Sequence, residues 1–325
     1  MTARTSSPTV AHAGETRHDV APARRSTPAL ILRSLRPEQW TKNLFVFAGL
    51  LFGNQLTNVH AGLLSSATFA IFCGLSGAVY VFNDVSDRTA DEAHPLKRFR
   101  PIASGQLSAR TALLAGALFA GAALAGAIAI SPALGIVAGT YLVLLLAYSA
   151  ALKHVVIMDV LMIAAGFVLR AVAGAVAVNV PISHWLLVCT TLLALFLALS
   201  KRRHELTLLA EGASGHRRIL GEYSPYLLDQ MISVVTASTL MAYSVYATSP
   251  ETAAKLGTDR LALTIPFVLY GIFRYLYLVH QKRGGGSPAA MLLTDRPLLI
   301  CVGLWAICVM LLLYSPLGRG SFQGL

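Results

Sequence analysis

Apolar runs long enough to cross a bilayer alternate with short polar breaks along almost the whole chain. Nine candidate spans can be placed, at about 44–57, 61–82, 110–130, 132–150, 155–178, 184–200, 229–248, 261–280 and 297–314. The first is short, and Pro181, Pro250 and Pro266 mark ends or kinks. In lipid, a run of single segments satisfies its backbone only as helices. The pattern therefore predicts an all-α polytopic membrane protein with nine transmembrane helices. Residues 1–28 are rich in Ala, Ser, Thr, Pro and Arg and have no apolar run, so they read as a disordered tail and not as a signal peptide. Residues 29–318 form the membrane domain, and 319–325 form a short C-terminal tail.

Composition agrees. Only 13% of residues are charged and the mean hydropathy is +0.64, against about 25% charged in soluble domains. The basic residues are distributed unevenly. Of the 26 Lys and Arg residues, 21 fall on one side of the nine-span arrangement and three on the other, with Arg170 and Arg274 inside spans. The positive-inside rule then puts the N-terminus in the cytoplasm and the C-terminus outside, in a multi-pass protein of the cell (plasma) membrane. Topology and attraction to anionic lipid account for most of the net charge of +11. The cations are split among loops and not clustered with exposed aromatics, which argues against a nucleic-acid partner. The four cysteines lie in apolar segments without CxxC spacing and read as packing thiols.

Against this background one stretch stands out. Four of the chain's 15 acids fall between Asn83 and Glu92, where the second span ends, and Lys97, Arg98 and Arg100 follow. On a continuing helix Asn83, Asp87 and Asp91 share one face at i, i+4 and i+8, with Asp84 beside them. Magnesium prefers a few carboxylates together with a substrate's own phosphate oxygens, so the stretch reads as a Mg²⁺–diphosphate site facing the cytoplasm. The bland alternative is a solvated helix end. A second stretch, Lys201-Arg202-Arg203-His204-Glu205, reads either as a charged stop after a span or as a clamp for phosphate groups, with Glu205 orienting the cations or helping to hold a metal. Lys42, in an interfacial segment with Trp40, fits a lipid-headgroup contact and a substrate contact equally. Tyr148 and Lys153 flank the next turn on the same side and by themselves read as interface anchors. Asp159 and Arg170 lie 11 residues apart in one span, about 16 Å along a helix, so they cannot pair with each other. Each faces either a water-filled cavity or a partner on another helix.

These residues resemble a known family. Asn83-Asp84-x-x-Asp87-x-x-x-Asp91, Arg100-Pro101-Ile102-x-x-Gly105 and Tyr148-x-x-x-x-Lys153 are similar to motifs of the UbiA superfamily of intramembrane prenyltransferases, over roughly residues 30–315. The chain departs from the usual UbiA pattern at the sixth span, where Lys201–Glu205 replaces a second Asp-x-x-x-Asp motif. That departure argues against a prenyl diphosphate donor joined to an aromatic acceptor. The blocks Arg36-Pro-x-Gln-Trp-x-Lys-Asn, His94-Pro-x-Lys-Arg-Phe-Arg-Pro-Ile-Ala, Gly166–Val178 and Leu199–Leu206 resemble one branch, the decaprenyl-phosphate phosphoribosyltransferases.

The resemblance implies transfer of 5-phosphoribose from 5-phosphoribosyl 1-diphosphate to a polyprenyl phosphate, with Mg²⁺, for cell-wall arabinan precursors. It also implies a UbiA-like helical bundle with a cytoplasmic active-site cavity. Asn83, Asp87 and Asp91 would hold the metal, with Asp84 assisting. Lys42, Lys97, Arg98, Arg100, Tyr148, Lys153, Arg170, Lys201, Arg202, Arg203 and Glu205 would line the substrate site. A transporter is the competing class, but matching Gly/Pro-broken halves are not evident. A homo-oligomer is compatible with the sequence, and no residue in it establishes one.

Overall fold

The computed structural model describes residues 26–210, 218–282 and 288–315. Its N-terminal helix α1 (Thr27–Ser34) lies ahead of the bundle, so the last residues of the expected 1–28 tail open a helix; the rest of that tail and the expected C-terminal tail lie outside the described residues. After a 3-10 run (Pro37–Phe47) and a short α2 (Ala48–Phe52), the long α3 (Val59–Ser86) carries the acidic stretch to α4 (Arg88–Glu92). Then come α5 (Ala109–Ile130), α6 (Pro132–Ala150), α7 (Met158–Ala177) and α8 (His184–Ala210). The chain closes with α9 (Pro225–Thr248), α10 (Pro250–Leu256), α11 (Ile265–Gln281), α12 (Pro288–Thr294) and α13 (Arg296–Tyr314).

Local chemistry sets where these helices begin. Three Ser-Pro junctions each open one: Ser131, Ser224 and Ser249 accept the backbone N–H of Leu134, Leu227 and Thr252, and the following proline occupies the first turn, where no N–H is required. Asp295 caps α13 in the same way through Leu298 N at 2.9 Å. Eight described helices are long and apolar enough to cross a membrane. Their outer faces carry Leu114, Leu118, Ile136, Val143 and Met241, all largely exposed, which is the surface a lipid solvent calls for.

The expected first span, 44–57, is not a helix of spanning length. The chain there still runs the length of the bundle. Arg36 touches Asp84 near the end of α3, whereas Leu56 N and Leu51 O meet the Tyr314 hydroxyl, at the end of α13 and beside the start of α3. Eleven residues of 3-10 helix and five of α-helix rise roughly 30 Å, about the thickness of the hydrocarbon core. Nine regular helices thus become eight, plus one irregular run. The reason is close packing on α7. A Cβ on Gly174 would stand 1.7 Å from Val46 O, and one on Gly49 would stand 2.5 Å from Ala175 N. Backbone meets backbone there, and the tight 3-10 winding keeps the segment in that groove.

α7 is the central element. On one side it joins α3, α5 and α6 through a core with Phe72, Leu75, Ala127, Leu134, Tyr141 and Ala173. On the other, Val160 packs into a core with Phe196, Leu199, Leu228, Ile232 and Tyr275 from α8, α9 and α11. The four cysteines are free and buried or partly buried, as packing thiols are.

Candidate active site

The acidic stretch forms at the end of α3. The helix breaks at Asp87 (φ −92°, ψ 9°), yet the i to i+4 spacing survives, because Asp87 N donates to Asn83 O and Asp91 N to Asp87 O, both at 2.8 Å. The expected single face therefore persists across a kink. Its acids are unequal. Asp84 and Asp91 are 2% and 3% exposed, and two arginines hold them. Arg100 NH1 reaches Asp91 Oδ2 at 2.5 Å and Asp84 Oδ1 at 3.1 Å, while Arg36 forms a short ion pair with the same Asp84 oxygen. Arg36 adopts a left-handed backbone (φ 54°) just before Pro37, and its guanidinium stacks 4.8 Å over the Tyr80 ring. Asp87 instead remains partly open, with Lys153 Nζ at 3.4 Å, and Asn83 beside it is half-buried. Arg98 is exposed and stacks on Phe99, on the 3-10 turn Lys97–Phe99, with Lys97 half-buried.

Among the described residues no three His, Cys, Asp or Glu side chains converge as a metal cage. The donor chemistry still fits magnesium. Asp87 and Asn83 supply open oxygens, and this ion keeps most of its positions for water and substrate phosphate. Asp91, the expected third ligand, is buried here, with its Oδ2 bound to Arg100.

The second cluster joins α7 to α8. Asp159 is 0% exposed and accepts from Arg202 Nε at 2.7 Å and from the Tyr223 hydroxyl at 2.8 Å; Arg202, 2% exposed, also binds Glu205 Oε2 at 2.5 Å. Tyr223 OH accepts in turn from Ile157 N at 2.7 Å. Burial, and its bond to the Asp159 carboxylate, push the Tyr223 phenol up to about 12, so it stays a donor at neutral pH. Arg202 was expected as a phosphate contact; the structure turns it inward as a strut. Lys201 lies 3.9 Å from Glu205 and is the more open cation of this helix end, and Tyr148 lies within electrostatic range of Arg202. Arg203 turns to a different side, where it binds Asp229 of α9 at 2.6 Å and 3.3 Å, and His280 of α11 approaches the same carboxylate.

A third group lies deeper. Arg170, 6% exposed, donates to Asn43 Oδ1 (2.7 Å), Gly166 O (2.9 Å) and Tyr141 OH (2.5 Å). Arg170 does not reach Asp159, as helical spacing requires. Lys42, next to Asn43, is half-buried. Sequence reasoning did not single out Arg36, Asn43, Tyr141, Tyr223 or Asp229 for the site. Only Arg36 and Asn43 had a signal, since both belong to the Arg36–Asn43 block.

Comparison with known proteins agrees with this architecture. Residues 43–294 match the UbiA prenyltransferase family. The chain is 32% identical to the decaprenyl-phosphate phosphoribosyltransferase of Mycolicibacterium smegmatis, over 85% of this chain and 89% of that protein. It is likewise 32% identical to the decaprenyl-phosphate phosphoribosyltransferase of Corynebacterium glutamicum, over 87% and 86%. Among solved structures, a UbiA homolog from Archaeoglobus fulgidus bound to DMAPP and Mg²⁺ shares the fold at a TM-score of 0.66, with 20% identity over 86% of this chain and 98% of that one.

Proposed function

The chain belongs to the UbiA prenyltransferase family of membrane enzymes, and from that premise we propose that it transfers 5-phosphoribose from 5-phosphoribosyl 1-diphosphate to a polyprenyl phosphate, with release of diphosphate, and that the phosphoribosyl lipid so formed is a cell-wall arabinan precursor. The observation that carries this reading is similarity over nearly the full length of two decaprenyl-phosphate phosphoribosyltransferases. The site supports it, because one acidic helix end is surrounded by more cations than a diphosphate alone requires. In this reading the N-terminus and the site face the cytoplasm.

The C1–O bond to diphosphate breaks and its electron pair leaves with the diphosphate. An oxygen of the lipid phosphate forms the new C1–O bond. That oxygen is already anionic near neutral pH, so no general base is needed, and catalysis rests on positioning and electrostatics. Asn83 and Asp87 would hold Mg²⁺. An ion held there would supply positive charge to the leaving diphosphate. Arg100 and Arg36 hold Asp84 in place, and Arg100 holds Asp91. Lys153 lies beside Asp87 and can neutralise a phosphate oxygen brought to that carboxylate. Lys97 and Arg98, on the turn that follows the acidic stretch, and Lys201, near Glu205 on α8, would supply further phosphate contacts. Arg202 and Glu205 act from behind, holding α8 against α7.

The test is transfer from radiolabelled phosphoribosyl diphosphate to a polyprenyl phosphate in detergent, with and without Mg²⁺. Labelled lipid formed only with the metal supports the reading. No labelled lipid from folded protein, across several chain lengths, overturns it and points to a prenyl diphosphate donor.

A further inference from the structure

The turn that carries Lys153 is held from outside itself. Between α6 and α7 the chain makes a 3-10 turn (Leu152–His154) and an extended Val155 (φ −103°, ψ 123°). It then passes Ile157, whose φ of 69° is one that a β-branched residue rarely adopts. Glycine would take that conformation freely, but isoleucine stands there. Packing does not impose it, since Ile157 is 44% exposed. A backbone of this kind persists only where its surroundings fix it.

One side chain supplies that fixation. The Tyr223 hydroxyl accepts from Ile157 N at 2.7 Å and donates to Asp159 Oδ1 at 2.8 Å, so it bridges the residues on either side of Met158, the first of α7. Asp159 is a rigid anchor, because Arg202 of α8 holds its other oxygen at 2.7 Å. Tyr223 is 4% exposed, and the 3-10 turn before it (Arg218–Glu222) lies against Leu152–His154. The connection between α8 and α9 therefore fixes the connection between α6 and α7. Lys153 lies in that second connection, with Nζ 3.4 Å from Asp87 Oδ1. A partly exposed ion pair of this length holds little by itself, so the backbone beneath Lys153 decides where its amine stands.

We propose that Tyr223 is a positioning residue for the transfer reaction. Through Ile157 N and the Asp159 carboxylate it sets the course of residues 151–157, and that turn presents Lys153 to Asp87 and to the phosphate oxygens brought there. The inference rests on the phosphoribosyl-transfer reading for the role of Lys153. The hydroxyl is the part that acts, since it alone reaches both Ile157 N and Asp159.

The first test needs no reaction. A carbodiimide joins a lysine to a carboxylate at zero length, and the Lys153–Asp87 crosslink is quantified by peptide mass spectrometry. Tyr223→Phe, checked for folding by size exclusion and Tm, is expected to lower that crosslink about fivefold or more. The Lys201–Glu205 crosslink within α8, a pair 3.9 Å apart, should stay as it was. An unchanged Lys153–Asp87 crosslink in the folded variant overturns the proposal. Hydrogen exchange on the unaltered protein needs no variant: the Ile157 amide should exchange slowly although its residue is exposed, and rapid exchange overturns the proposal.

The second test is kinetic. Tyr223→Phe is expected to raise KM for phosphoribosyl diphosphate about fivefold or more, with KM for the polyprenyl phosphate nearly unchanged. Added to Lys153→Met, it should change little further, because the group it positions is gone. Losses that multiply in the double variant would show a merely structural role and overturn the proposal. The two readings fail separately. A crosslink that depends on Tyr223 in protein without phosphoribosyl transfer sinks the proposed function and keeps the positioning role; transfer and crosslinking indifferent to Tyr223 do the reverse.

Discussion

Arg202 and Asp159 meet inside the bundle, with Nε 2.7 Å from Oδ2 and exposures of 2% and 0%, so α8 is fastened to α7 by an ion pair that water does not reach. Removing Arg202 strands the buried Asp159, whereas removing the Asp159 charge leaves Arg202 with Glu205. Arg202→Met alone should lower stability by about 3–5 kcal/mol, and Asp159→Asn by less. The double replacement Asp159→Leu/Arg202→Met should recover part of the Arg202→Met loss, because no fully buried charge is left unpaired. Thermal unfolding in detergent checks both, and additive losses in the double variant would refute the coupling.

The carboxylates of the acidic stretch should separate by role. Asp87→Asn loses only a partly exposed pair at 3.4 Å, worth at most about 1 kcal/mol, so Tm should barely move. Transfer activity should nevertheless fall by about two orders of magnitude or more, if Asp87 is an open ligand of the metal. Asp84→Asn should lower Tm clearly, since it leaves Arg36 without its buried counterion and Arg100 with Asp91 alone. Assaying activity and melting on the same preparations distinguishes these outcomes.

Gly174→Ala tests the irregular run. The added Cβ would fall 1.7 Å from Val46 O, so the 3-10 segment must move and carry Lys42 and Asn43 with it. A loss of about 1–3 kcal/mol or more, together with a weakened KM, is expected. Gly121→Ala meets nothing within 4 Å and serves as the control, with little change in either quantity.

Much of this protein was legible from its residues. The positions of the long helices, the acidic stretch and the Ser-Pro starts are local properties, since hydropathy over some 20 residues and a capping side chain act within one segment. The resemblance of the Arg36–Asn43 and Asn83–Asp91 blocks to UbiA motifs likewise needed no coordinates. Helical periodicity also showed that Asp159 and Arg170 could not pair with each other. Pairing across helices was beyond it. That Arg36 binds Asp84, that Arg202 turns inward to Asp159 and not outward to a phosphate, and that Arg170 binds Asn43 and Tyr141 all depend on which helix faces lie together. Even the first crossing escaped a local reading, because the contacts of Gly49 and Gly174 that hold its 3-10 winding join residues over a hundred positions apart. In a membrane the apolar pattern separates lipid from protein weakly, as both interiors are equally apolar. The polar contacts that arrange the site are long-range, and tertiary packing alone decides them.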